Sequence, residues 1–443
     1  RVFTFYKVIY FYYICSKQYK TMNKISIFVL LLVLFTAGGV SAQPAAADGG
    51  KSADKSAAKV ADNSAAKVAD NSGYQFTTVM ELPVTPTRNQ NRSSTCWSFS
   101  TLAFLESEAI KKGAPADIYF APMFPVFTNY MEKAERFVRM DGALNFAGGG
   151  STDDVLCTLA GYGLVPESAM PGLNYGESNH VHGELDAVTK AFVEAVAKNP
   201  NKKLSTAWKS AFKGILEAYL GKVPEKFEVN GKEYTPKEYA ASLGLKAEDY
   251  IGITSYTHHP FYTTFVLEVP DNWRSYQLYN VPMEELVEII DYALEKGYTV
   301  AWAADVSEKG FTRDGLAIVP DVEANEKSEG SDQARWVGVD PKEKEQILHN
   351  LKSPGKEKVI TQEMRQVAYD NKETTDDHGM QIFGIAKDQN GTKYYIVKNS
   401  WGERGKYKGR WYASLPYVQY KTMDILVNKA AVPAHILKKL GVK

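Results

Sequence analysis

The sequence predicts an α+β chain of two lobes, one helical and one β-rich, with large helical insertions. Three observations carry that prediction. After Cys96 the apolar residues Leu102, Leu105 and Ala109 fall on one helical face, closed by Gly113. Far downstream, QIFGIAKD and KYYIVKN read as strands joined at Asn390-Gly391. Between these segments lie more than 250 residues with further helical periodicity, so the helix and the hairpin belong to different parts of a large core.

At 443 residues, with 44% hydrophobic and 23% charged side chains, the chain is long and apolar enough to bury a substantial core. Fifty-two basic residues balance 52 acidic ones, which gives no electrostatic reason to expect nucleic acid or an anionic membrane as a partner. Three cysteines, Cys15, Cys96 and Cys157, are too few for a disulfide framework.

The expected organisation has three parts. Met22, Asn23 and Lys24 precede the apolar run Ile25 to Phe35, and Val40, Ser41 and Ala42 supply a small-residue cleavage site. Residues 1–42 therefore read as an upstream segment plus an export signal, with no stable membrane anchor after cleavage and a periplasmic or extracellular destination. Residues 43–73 repeat the octapeptide SAAKVADN and lack the apolar surface that would offset chain entropy, so they read as a flexible linker. Residues 74–443 form the folded domain, with an insertion at about 180–275. Within it, Glu184 to Lys198 and Leu204 to Leu220 are helical in period, KFEVNGKEY is a hairpin turning at Asn230-Gly231, and Thr235 to Glu238 is a capping box. The insertion reads as cover for one flank of the core.

The chemistry begins at Cys96. A thiol at a helix start meets unpaired amide N–H groups and the positive end of the helix dipole, an environment expected to lower its pKa. The hairpin should bring His378, near the start of one strand, opposite Asn399, at the end of the next. Asn399 can then orient the imidazole through an accepted hydrogen bond, and Trp401 can cover that bond against water. Gln90, six residues before Cys96, supplies a side-chain donor.

The order Gln90, Cys96, His378, Asn399, followed by Ser400 and Trp401, resembles the papain-like cysteine peptidases. The signature around the nucleophile departs from that family: Ser93-Ser94-Thr95-Cys96-Trp97 lacks its second cysteine. Cys96 and His378 are 282 positions apart, far beyond the usual papain spacing. Large insertions without disulfides, together with GGGSTDDVLCTLAGYGLVPESAMP, YNVPMEELVEIIDYALEKGYTVAWAADV and TTDDHGM, are similar to the bleomycin hydrolase and aminopeptidase C branch. The resemblance implies a papain-like two-lobed fold and hydrolysis of peptide substrates. Cys96 is then the nucleophile, His378 the base and Asn399 its orienter, while Gln90 and the Cys96 amide bind the oxyanion. Gly148, Gly149 and Gly150 would pair with the substrate main chain, alongside Trp401. It also implies a C-terminus in the cleft, where its carboxylate would meet the substrate's free amino group. For the insertion it implies, equally with cover for one flank of the core, an oligomer-contacting arm and hence a homo-oligomer.

No cofactor is implied, and no metal: His180-Val-His182 and His258-His259 lack the H-E-x-x-H spacing, and read as polar loop residues. Cys157 reads as a buried apolar residue. The tail, Val427 to Lys443, could either reach the cleft or dock on the surface as a short amphipathic helix through Ile436, Leu437 and Leu440. The competing functions are an endopeptidase of the same fold and an inactive secreted binding protein.

Overall fold

The computed structural model describes residues 73–201, 203–322 and 353–442. The signal segment, the linker and His349 lie outside the described residues.

The helical lobe starts with α1 (Cys96–Lys111), whose Leu102, Phe104, Leu105 and Ala109 are fully buried. Against it pack α2 (Met123–Arg139) and α3 (Thr152–Gly161), joined in one apolar cluster by Phe120, Phe124, Val155 and Leu159. The expected helices of the insertion are present as α4 (Gly183–Ala197) and α5 (Ala207–Leu220). Their Leu185, Val193, Phe212, Leu216 and Leu220 join that same cluster, so this part of the insertion covers a flank of the helical lobe.

Local sequence chemistry explains the next elements. Strands β2 (Phe227–Val229) and β3 (Lys232–Tyr234) pair through a two-residue turn in which Asn230 and Gly231 both take positive φ, 51° and 77°. Helix α6 (Pro236–Ser242) opens on the reciprocal Thr235–Glu238 capping box, with Pro236 at its first position.

The β-rich lobe is a mixed ten-stranded sheet that also takes in β1 (Thr77–Glu81). Two strands come from residues the sequence assigns to the insertion: β4 (Tyr250–Thr254), buried along its whole length, and β5 (Thr264–Val266). After β6 (Gln277–Asn280) and α7 (Met283–Glu295) come β7 (Val300–Ala304) and the short β8 (Leu316–Ala317). Helix α8 (Gln362–Asp370) then leads to the long strand β9 (His378–Lys387), which pairs with β10 (Lys393–Lys398). The other edge of β9 is shared, β7 pairing with its first half and β1 with its second. The connection between β9 and β10 is wider than the expected Asn390-Gly391 turn. The Asp388 carboxylate accepts from the Asn390 and Thr392 amides, closing a loop over residues 388–392 in which Gly391 supplies the positive φ.

Strands β11 (Arg410–Ser414) and β12 (Thr422–Asn428) flank the short helix α9 (Leu415–Lys421). The chain then forms α10 (Ala434–Leu440), which buries Ile436 and Leu440 in the same cluster as Leu286, Ile289 and Ala293 of α7. Glycine at 441 ends it in the left-handed conformation, and the Val442 amide returns to the Leu437 carbonyl. Of the two readings of the tail, docking on the surface is the one observed.

Candidate active site

Helix α1 and strand β9 meet at the site. The close approach needs a glycine: a Cβ on Gly379 would lie 2.6 Å from Ser100 Oγ and 3.4 Å from the Cys96 carbonyl oxygen. Cys96 is the first residue of α1, as the spacing predicts, and is partly exposed. The polar run before it is a tight loop with Asn91 and Ser94 at positive φ. Ser93 and Thr95 share a 2.5 Å hydroxyl bond, and the loop bridges to residues 180–182 through the Arg92–His180 and His182–Arg92 backbone bonds.

His378 opens β9 opposite Ala304, and the hairpin returns Asn399 to it: His378 Nε2 and Asn399 Oδ1 are 2.7 Å apart. Both are buried. The Trp401 ring lies 4.8 Å from the imidazole, tilted by 30°, where it covers the bond. With Nε2 engaged, Nδ1 is the ring nitrogen left for a proton from the thiol, and Cys96 and His378 line the same cavity. Gln90 is buried beside them. Its amide donates to the Ser400 carbonyl at 2.7 Å and its Oε1 accepts from Ser400 Oγ at 2.5 Å, which leaves Nε2 without a protein acceptor among the described residues.

The expected lowering of the thiol pKa is not met in the unliganded site. Burial pushes the Cys96 thiol up to about 12, and Asp376 and Asp271 add to the rise, while the Gly379 and Trp97 amides act in the opposite direction. Burial likewise drives His378 down to about 4, against the raising effect of Asn399 and Asp377. Burial thus acts against the charged form of each partner.

The glycine strip is held from behind. Trp97 Nε1 donates to the Gly148 carbonyl at 3.0 Å, and Lys133 Nζ donates to the Gly149 carbonyl at 2.6 Å. In front of it lies the segment 267–276, which the sequence did not single out. A Cβ on Gly149 would sit 2.1 Å from Asp271 Oδ2, so the Asp271 carboxylate rests directly on the strip. Arg274 Nε to Asp154 at 2.5 Å, Trp273 Nε1 to Asp154 at 3.1 Å and Arg136 to the Arg274 carbonyl at 2.8 Å hold this strap on α2 and α3.

Other expectations need correction. Cys157 is half-buried, at the margin of a helix whose flanking Leu156 and Thr158 face the core. His180 and His182 are not polar loop residues in water: both are buried, His182 has no side-chain partner, and burial depresses each to about 4. His258, His259 and Glu268 bring one ligand atom each within 4.8 Å of one another, a grouping able to hold a metal, on the partly exposed surface.

Asp424, whose Oδ1 is enclosed without a partner, is raised by burial from 3.8 to about 7. A raised carboxyl contributes stability that is present below its unfolded value and is lost as pH rises through about 7. Asp424→Asn is therefore expected to have a higher Tm than the parent at pH 8 and an equal Tm at pH 4; equal Tm values at both would contradict the enclosure of this group.

Comparisons with known proteins agree with this geometry. The model of the Peptidase C1-like family matches residues 45–326 and 349–443. The chain is 24% identical to Aminopeptidase E of Lactobacillus helveticus over 79% of its own length and 82% of the relative's. It is 22% identical to Aminopeptidase C of Lactococcus lactis subsp. cremoris, over 79% and 82% respectively. Among solved structures, PepW from Lactobacillus rhamnosis HN001 superposes with a TM-score of 0.61 at 20% identity, covering 82% of this chain and 84% of that one.

Proposed function

The chain belongs to the Peptidase C1-like family, and from that premise we propose that it is an exported cysteine aminopeptidase working through Cys96, His378 and Asn399. The observation that carries the mechanism is the 2.7 Å His378–Asn399 bond beside a thiol at a helix start. Asn399 fixes the tautomer, so His378 takes the Cys96 proton as sulfur attacks the scissile carbonyl and later returns it to the leaving amine. The Cys96 amide and Gln90 Nε2 receive the oxyanion, and water resolves the thioester.

Cleavage near a free amino terminus is supported by the strap: with Asp271 seated on Gly149, little of the strip remains for substrate residues ahead of the scissile bond. The names of the relatives point the same way. The docked tail favours the endopeptidase alternative, because α10 is held on α7 by Lys439–Glu285 and His435–Glu288 contacts, and none of the tail's described residues lines the cavity of Cys96. Export rests on the apolar run and cleavage site of residues 22–42.

Labelling with an epoxide or iodoacetamide should map to Cys96, and hydrolysis of free-amino amides should exceed that of N-acetylated ones. Labelling confined to Cys157 would overturn the assignment. Deleting Val442 and Lys443 is expected to leave the ratio of free-amino to N-acetylated cleavage within about twofold, since α10 keeps the tail on α7. A collapse of that ratio would place the C-terminus in the cleft after all.

A further inference from the structure

We infer that the cavity beside Cys96 is a subsite for a substrate ammonium group, with Asp153, Asp271, Asp376 and Asp424 as its specificity-determining residues; the inference rests on the peptidase reading. The cavity, about 40 Å³, is lined by Cys96, His378 and five aspartates, these four and Asp377, whose carboxylate is already matched by Thr375 and Ser307. No lysine or arginine lines it.

What separates this cluster from an ordinary acidic surface is the missing partner. Asp154, at the start of α3, is matched by Arg274, Trp273 and the Ser151 amide. Its neighbour Asp153 is only 2% exposed; its carboxyl meets Tyr276, but its Oδ1 has no hydrogen bond among the described residues. Across the cavity, Asp424 Oδ1 is equally without a partner. Carboxyl groups with such unsatisfied oxygens either hold a proton or are offset by a cation or donor from outside the chain. Burial raises all four groups; repulsion within the cluster adds to the rise at Asp153 and Asp376, whereas at Asp271 Lys133 opposes it. The first turn of α3 gives Asp153 some favourable field, but no donor to Oδ1.

The dimensions suit the ligand. A space of this size holds a few waters, enough for an ammonium group. Because Cys96 and Gly150 line the same space, the bound cation lies close to the scissile bond. Two parts of a peptide present an ammonium there: the free α-amino terminus and a lysine side chain.

Matched fluorogenic amides distinguish these sources. Norleucyl, N-acetylnorleucyl, N-acetyl-lysyl and N-acetyl-lysyl-norleucyl amides are compared with the full-length enzyme. A free-amino preference identifies the terminus, and an acetyl-lysyl preference identifies the side chain. The enzyme should favour at least one ammonium-bearing substrate over its neutral counterpart by roughly 10- to 100-fold in kcat/KM. Asp153→Asn and Asp424→Asn should bring the ratio of ammonium-bearing to neutral kcat/KM to within about threefold of one. Hydrolysis with no cation preference, or variants that slow all substrates equally, would overturn the subsite and leave the peptidase reading standing. If no amide is hydrolysed, the peptidase reading fails and binding still decides the subsite. Full-length Cys96→Ala protein, with all four carboxylates in place, should be thermally stabilised by norleucinamide or by N-acetyl-lysinamide and not by N-acetylnorleucinamide; no difference among the three would overturn it.

Discussion

Cys96→Ala is expected to lower kcat for peptide amides by at least about 10⁴-fold while leaving Tm within a few degrees of the parent. Both halves follow from position. The side chain is the first of α1, partly exposed, and its sulfur serves no core packing, unlike Leu102 or Phe104 a turn or two later. Removing it deletes the bond-forming atom, and the oxyanion donors and substrate contacts that remain supply only residual acceleration. The His378–Asn399 bond of 2.7 Å does not involve Cys96, so it survives the change. Cys157→Ala is the control and should retain activity, since Cys157 does not line the cavity of Cys96. Single-turnover kinetics and far-UV circular dichroism on both variants check this; a Cys96→Ala protein that still hydrolyses amides at parental rates would remove the nucleophile from the mechanism.

The parts of the site that the sequence makes legible are those set by local rules. A helix start at Cys96, a hairpin that returns Asn399 to His378 and a capping box at Thr235 each depend on residues a few positions apart, or on one strand pairing. The strap over Gly149 depends on Arg274 and Trp273 reaching Asp154 about 120 positions earlier, and no periodicity encodes that partner choice. The same holds for the thiol. A helix start argues for a lowered pKa, but the strap and β9 close the space around Cys96 and bring Asp271 and Asp376 near it, and desolvation then dominates. His180 and His182 read as solvated because their neighbours are polar, whereas the backbone bridge to Arg92 draws them under the active-site loop. The tail shows the reverse case: Ile436, Leu437 and Leu440 carry a helical spacing in the sequence, and that pattern, not the reach of an extended chain, describes the observed α10.

Gln90→Ala is expected to lower kcat by about 10²- to 10³-fold with a much smaller change in KM. The side chain is not free to choose its role. Ser400 Oγ donates to Oε1 at 2.5 Å and the Ser400 carbonyl accepts from the Gln90 amide at 2.7 Å, so the residue is clamped at both its backbone and its carbonyl end. In this arrangement Oε1 is committed to the Ser400 hydroxyl, and Nε2 is the donor left over. A donor held in advance gains most when charge develops on the substrate oxygen, which happens in the tetrahedral state and not in the bound ground state, so its loss falls on kcat. Ser400 also follows Asn399 directly, so the orienter of the imidazole and the anchor of the oxyanion donor are consecutive residues leaving β10. Gln90→Glu separates the two functions of the side chain. It keeps the oxygen that can accept from Ser400 but replaces the Nε2 donor by a second acceptor facing the developing negative charge, and should therefore be at least as damaging as alanine. Steady-state kinetics on the preferred amide, run for both variants beside Ser400→Ala, provide the check. An effect mainly on KM, or a glutamate variant more active than the alanine one, would make Gln90 a substrate-binding residue and leave the Cys96 amide as the sole oxyanion donor assigned.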